Sequence, residues 1–321
     1  MTIFAPDHFG PTINIGEILA EIMATEIGNG FEEPIRLMGP FPSGAPAIFI
    51  DQCAKISGSA AMIGAVGSDD FGRLNINRLR EDGADVSGIL INESFPTGTA
   101  FVRYRENGQR DFVFNIAKSA ATQIDWCPAI ESIVNKAGHL HVMGTALIDP
   151  GIGGVIQRAA NIIKRRGGSI SLDPNLRKEL KIDESASLRF DEIIEICDLL
   201  MPSDDELILT ARENDFDKAL SSLFAKGIKE IVLKQGSLGA SVYLPDGNCF
   251  HCPSLKVRQV DPTGAGDCFG GTYVSCRRLG MSMEQSLNYA NASGARNVSV
   301  LGPMEGTSTL EELENFIDAQ S

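Results

Sequence analysis

The sequence predicts an α/β protein: a mostly parallel central sheet flanked by helices on both faces, with a small β-sheet set apart from it. Three observations predict this. From residue 129 onward helix-like and strand-like runs alternate, which is the rhythm of a parallel sheet whose crossovers are helices. Between Thr97 and Phe114 the pattern changes to alternation about a polar turn, Arg105-Glu-Asn-Gly-Gln109, and this predicts a β-hairpin. The 321 residues, without repeat, low-complexity tract or long linker, suffice for one large domain with a sizeable core.

Each element follows from local pattern. Pro11 to Met23 opens with a buried strand over Ile13 to Leu19. Ala45 to Ile56 predicts a helix, Ala60 to Val66 a short apolar strand, and Phe71 to Asp82 an amphipathic helix stopped by Gly83. The hairpin, with Gly28 to Leu37, predicts the small sheet. Helices are then expected at Ile130 to Ala137, Gly154 to Arg166, Phe190 to Cys197, Asp204 to Arg212 and Phe216 to Lys226. The strands between and after them are Leu140 to Met143, Ser169 to Asp173, Leu199 to Pro202 and Glu230 to Lys234. Ala240 to Tyr243 and Cys249 to His251 form a hairpin about Pro245-Asp-Gly247. Helices near Ala265 to Leu279, Met283 to Asn297 and Leu310 to Ala319 close the chain. Ligands of such folds sit beyond the carboxyl ends of the strands.

Charge and composition narrow the function. A formal net charge of −14 disfavours nucleic acid and anionic membranes as partners. No run of about 18 apolar residues is present, and Met1 to Pro11 lacks the basic and apolar halves of a signal peptide. The seven scattered cysteines read as reduced thiols, so a cytoplasmic protein is expected. Cys249 and Cys252 make a lone CxxC around His251, better explained by a hairpin than by a metal site, which would want a second ligand pair. His139 and His141 alternate in a strand and are expected in the core or lining a pocket.

The most informative segment is Val257 to Gly271, which contains Asp261-Pro-Thr-Gly-Ala-Gly-Asp267. Gly264 and Gly266 let the backbone approach a ligand closely. The helix that follows presents unpaired amides and the positive end of its dipole to an anion. Asp267, in the first turn, could accept a proton from an attacking hydroxyl. An ordinary capped helix start, with Asp267 favourable to the dipole, explains the segment equally well when it is taken alone. A dinucleotide loop fits less well, because the third glycine, Gly270, comes one residue late. No Gly-Lys pair exists to build a Walker A loop.

Beyond this segment the chain resembles the ribokinase or PfkB family of carbohydrate kinases over nearly its whole length. Val260 to Asp267 is similar to that family's C-terminal signature, with Pro262 as a variation. Pro42-Ser-Gly-Ala-Pro-Ala47 resembles its N-terminal di-glycine motif, with Ser43 for the first glycine, Gly44 for the second, and Ile48 where the family has asparagine. Gly64 to Gly72, Asp173-Pro-Asn-Leu-Arg177, Ser203-Asp-Asp-Glu206 and Lys234-Gln-Gly-Ser-Leu-Gly239 resemble further family runs in the expected order. The resemblance implies a ribokinase-like fold across residues 1–321, with a lid formed by about 23–40 and 97–116. It implies Asp267 as catalytic base, with Gly264, Ala265 and Gly266 completing an anion hole. Asp173, Asn175, Lys234, Gly236, Gly239 and Asn291 would lie toward ATP, and Glu206 would organise Mg²⁺ through water. A monovalent cation such as K⁺ is a further candidate cofactor. Glu21, Ser43, Gly44 and Arg177 would face the sugar, with Phe101, Arg103 and Arg105 contacting it from the lid. Other readings are a solvated strand end for Glu21, a helix-surface residue for Asn291, and solvated lid charges for Arg103 and Arg105. The open edges of the lid sheet suggest a homodimer.

Among substrates, Gly39 to Asp51 and Ser171 to Leu180 resemble a bacterial branch identified as tagatose kinases. Fructose, 2-keto-3-deoxygluconate and, less well, a nucleoside are the alternatives. A non-catalytic sugar-binding protein on the same fold is the reading from another class, and the intact Asp267 argues against it.

Overall fold

The structure is a computed structural model that describes residues 4–27, 30–105, 110–176 and 183–320. Strand β1 (Thr12–Ile15) is wholly buried, and after a bend at Gly16 the chain enters β2 (Leu19–Ala24). The expected single strand from Ile13 to Leu19 is therefore two. At Gly16 the backbone passes so near Pro46 that a Cβ would lie 2.7 Å from its ring, and there the chain leaves one sheet for another. Next come β3 (Leu37–Ser43), α1 (Ala45–Ser57), β4 (Ala60–Gly67) and α2 (Asp70–Glu81), the last capped by Asp69 accepting from the Gly72 amide. Strand β5 (Asp85–Asn92), not expected from the sequence, precedes the hairpin strands β6 (Gly98–Tyr104) and β7 (Arg110–Asn115).

The second half alternates as its pattern predicts: α3 (Pro128–Val134), β8 (His139–Met143), α4 (Pro150–Arg165), β9 (Ser169–Asp173), α5 (Glu184–Ile196), β10 (Leu199–Leu200), α6 (Glu206–Ala211), α7 (Phe216–Ala225), β11 (Glu230–Lys234), β12 (Ala240–Tyr243), β13 (Cys249–Cys252), α8 (Ala265–Arg278), α9 (Met283–Val298) and α10 (Leu310–Asp318). Helix α4 begins a turn before Gly154 because Asp149 caps it, accepting from the Gly151 and Ile152 amides, with Pro150 in the first turn.

Among the described residues the large sheet has nine strands in the order β13-β12-β11-β10-β9-β8-β1-β4-β5. It is parallel from β11 to β5, and β12 and β13 run antiparallel at one edge. Helices α3 to α7 pack their apolar faces on one side, and α1, α2, α8 and α9 on the other, giving two cores. His139 and His141 lie in this interior, bonded to Ser169 and Ser171, and burial holds both imidazoles neutral.

The small sheet has the order β3-β2-β6-β7. Its first pair is β2 with β3, rather than a strand over Gly28 to Leu37: residues 30–36 are irregular, and Gly28 lies outside the described residues. The turn at 106–109 lies outside them as well. Because β1 pairs with β8 on one side and β4 on the other, the chain direction across the sheet reverses beside β1, the usual place for a ligand crevice in such sheets.

Candidate active site

A cavity of about 800 Å³ lies between the carboxyl ends of the large sheet and the small sheet. Its floor comes from the ends of β1, β8, β9 and β11 and from the start of α8. Gly264 caps α8 with φ +80°, and a Cβ there would meet the Pro303 carbonyl oxygen at 2.4 Å, so a side chain is excluded on two counts. The helix therefore starts abruptly at Ala265. The amides of Ala265 and Gly266 precede any carbonyl that could accept from them within the helix. Gly264, Gly266 and Asp267 line the cavity.

Lys234, at the end of β11, is buried and pairs with Asp173, at the end of β9. Its ammonium lies 3.7 Å from where a Cβ on Gly266 would be, beside the first turn of α8. Burial by itself would lower the Lys234 pKa, but Asp173, Glu206 and Asp267 more than offset this and raise it, so the cation is secure. Glu206 accepts from the Leu176 amide at 2.7 Å and the Ser203 amide at 2.7 Å, which brackets two loops at the cavity edge. Burial and neighbouring Asp173 raise its carboxyl pKa against the pull of Lys234. Asn175 takes a left-handed conformation, φ 43°, and donates its amide to Asp173.

Also lining the cavity, Glu21, on β2, is buried and accepts from the Ser43 hydroxyl at 2.9 Å. Ser43, which stands where the family's motif has its first glycine, thus fixes the Glu21 carboxylate. Its own amide is held by Asn75, which also donates to the Leu19 carbonyl. Ile48 replaces a polar contact with an apolar one against Gly264.

The structure gathers Asp267, Gly264, Gly266, Glu21, Ser43, Gly44, Asp173, Asn175, Glu206 and Lys234 around one space. It places Phe101, Arg103 and Arg105 elsewhere. In β6 the inward face carries Ala100, Val102 and Tyr104, so its alternate residues point away. Arg103 and Arg105 pair with Asp111 at 2.9 and 2.7 Å, and Phe101 meets Phe31 edge-on. The roof comes instead from β7, whose Arg110, Phe112 and Phe114 face the cavity; the last two rings stack 5.1 Å apart. Gly236, Gly239 and Asn291 lie outside this cavity's lining. The Asn291 amide group donates to the Cys252 carbonyl at 2.9 Å and ties α9 to the end of β13. Arg177 lies outside the described residues. Sequence reasoning also missed Glu17, Thr145 and Asp149, which line the same cavity. Their signal was position alone, one or two residues past β1 and β8 and at the cap of α4.

Comparison with known proteins fits this geometry. A structure from E. coli, provisionally named a ribokinase II, superposes with a TM-score of 0.92 at 43% identity, covering 97% of this chain and 99% of that one. Fructokinase-1 of Zea mays is 30% identical over 95% of this chain and 97% of its own length. Fructokinase-1 of Oryza sativa subsp. japonica is 29% identical over 96% and 97%. Residues 41–310 match the family described as pfkB family carbohydrate kinase. The chain therefore belongs to the pfkB family of carbohydrate kinases, enzymes that phosphorylate a sugar hydroxyl.

Proposed function

We propose that this sugar kinase transfers the γ-phosphoryl group of ATP to a hydroxyl of a neutral ketohexose, tagatose or fructose, with Asp267 as the base. One observation carries the reading: Gly266 and Asp267 in the first turn of α8 line the same chamber as Glu17, Glu21, Asp149, Ser43 and Thr145. Such groups suit the many hydroxyls of an uncharged sugar. Of the described cations lining the cavity, Lys234 is paired with Asp173, and Arg110 is outnumbered by the carboxylates of Glu17, Glu21 and Asp149. That disfavours a keto acid sugar, whose carboxylate needs a cation of its own.

In the reaction the substrate oxygen forms a bond to the γ-phosphorus as the bond to the ADP oxygen breaks, and its proton passes to Asp267. The Ala265 and Gly266 amides and Lys234 neutralise charge on the transferring group. The E. coli relative at 43% identity is known in complex with ATP and Mg²⁺, which supports the same donor and metal here. Both Glu206 oxygens already accept amide bonds and Asp173 holds Lys234, so these carboxylates suit a Mg²⁺ held through its waters and the phosphates. That ion would supply further neutralisation of the phosphates. The reading carries K⁺ as a further candidate cofactor and puts the enzyme in the cytoplasm, where ATP is available. It includes a homodimer formed through the lid sheet, whose strands expose Leu37, Met38 and Val113.

The test is ATP consumption with ketohexoses, aldohexoses, pentoses, 2-keto-3-deoxygluconate and nucleosides, each in potassium and in sodium buffer. A ketohexose should give the highest kcat/KM, with the keto acid sugar lower by about tenfold or more. A keto acid sugar as best substrate would overturn the assignment.

A further inference from the structure

The lid does more than cover the cavity: two of its side chains hold the loop that shapes the anion hole. On β6 the Tyr104 hydroxyl donates to Asp261 Oδ1 at 2.7 Å. On β7 the Arg110 guanidinium donates to the Thr263 hydroxyl at 2.8 Å. Tyr104 and Arg110 are register partners across the hairpin, so one point of the lid grips two residues of a single turn. That turn leads directly into Gly264.

The rest of the loop is held from behind. Asp261 is fully buried, accepts from the Thr263 amide at 2.9 Å through Oδ1, and accepts from the Gly302 amide at 3.1 Å through Oδ2. The Thr263 carbonyl accepts from Asn297 at 2.7 Å. With Pro303 against Gly264, the 261–264 turn is fixed on one side by the 297–303 segment and held on another by the hydrogen bonds from the lid. Burial, and then the Asp261 carboxylate, raise the Tyr104 pKa, so the phenol keeps its proton and remains a donor. Lifting the lid would leave Asp261 Oδ1 and the Thr263 hydroxyl without these partners, inside a loop whose shape sets the aim of the Ala265 and Gly266 amides. A displacement of about 1 Å in such a cradle can lower a rate by about a hundredfold.

We infer that Tyr104 and Arg110 are positioning residues that latch the lid to the anion-hole loop, so that the α8 amides reach transfer geometry only when the lid is down. This rests on the reading of α8 as the phosphoryl site. Were these contacts only to hold the lid down, without shaping the loop, their loss would merely speed escape of the sugar.

Two conservative variants approach the latch from opposite sides: Tyr104→Phe removes one hydroxyl from the lid, and Thr263→Val removes one from the loop. Each should lower kcat by about ten- to hundredfold while changing the sugar KM by less than about threefold, which marks loss of a transition-state interaction rather than of binding. The double variant should fall well short of the product of the two effects, because both open the same latch. Amide exchange across residues 261–266, measured without substrate, should be faster in each variant than in the parent. Unchanged kcat with a raised sugar KM, fully multiplicative effects, or unchanged exchange would each overturn the proposal. The exchange measurement needs no sugar, so it stands apart from the identity of the substrate, which the parent enzyme's own activity decides.

Discussion

At the scale of the residue, Asp267 owes its place to a glycine that cannot be anything else. Gly264 turns the chain where no Cβ fits, α8 starts there, and the third helical residue faces the cavity. Asp267→Asn keeps the shape and removes the proposed proton acceptor. Its turnover should fall by about 10²- to 10⁴-fold, with the melting temperature of the parent retained; near-normal turnover in a coupled ATP assay would remove Asp267 from the mechanism. Its place at the cavity was legible only from the chain as a whole: Gly-Ala-Gly-Asp before an apolar helix reads equally well as a capped helix start, and the further motifs in order along the chain pointed to a site there. Phe101, Arg103 and Arg105 were misplaced for the opposite reason. Alternation divides a strand into two faces, but it does not say which face meets the cavity. That depends on how β6 pairs with β2 and how the small sheet lies over the large one, neither of which is local. Arg110, Phe112 and Phe114 were therefore available to the same reasoning and were left unread.

At the scale of the element, patterns that are dense and closed by turns were read to the residue. Ser169–Asp173 and Glu230–Lys234 are continuous buried runs, and both strands occupy those bounds. Strand β5 escaped because it is an edge strand of mixed polarity with Gly88 inside it, where a Cβ would meet the Met62 carbonyl oxygen at 2.7 Å. No sequence pattern announces, either, the polar cluster that joins α1, α2 and the segment after α9. Asp51 on α1 is fully buried, accepts from the Thr307 hydroxyl at 2.8 Å, and lies 3.8 Å from Arg78 of α2. Arg78 in turn holds Asp82, which also faces Lys55, and reaches Glu305. Burial first, and Asp82 second, push the Asp51 pKa up to about 8. Between about pH 4 and that value the folded chain keeps a proton that the unfolded chain has released, so this group makes stability fall as pH rises through the window. Asp51→Asn, which can still accept from Thr307, should flatten that part of the profile and melt higher than the parent at pH 8. A variant that melts lower at pH 8 and keeps the parent's slope would refute the assignment.

At the scale of the whole molecule, the small sheet ends in two edges, β3 and β7, and exposes Leu37, Met38 and Val113. Such a surface is suited to covering by a second copy. Sedimentation should give twice the 34.4 kDa chain mass, and Met38→Lys with Val113→Lys should shift the boundary toward that of a single chain; a parent that sediments as one chain at micromolar concentration would exclude the dimer. A further consequence belongs to the sheet that carries Glu21. Glu21, proposed to face the sugar, and the aromatic roof of the cavity are parts of one layer, β2 and β7 of the same sheet. A movement that raises the roof thus also withdraws part of the grip on whatever lies beneath. On that proposal, departure of the phosphorylated product and loss of affinity for it are a single event, and the enzyme needs no separate device to let go.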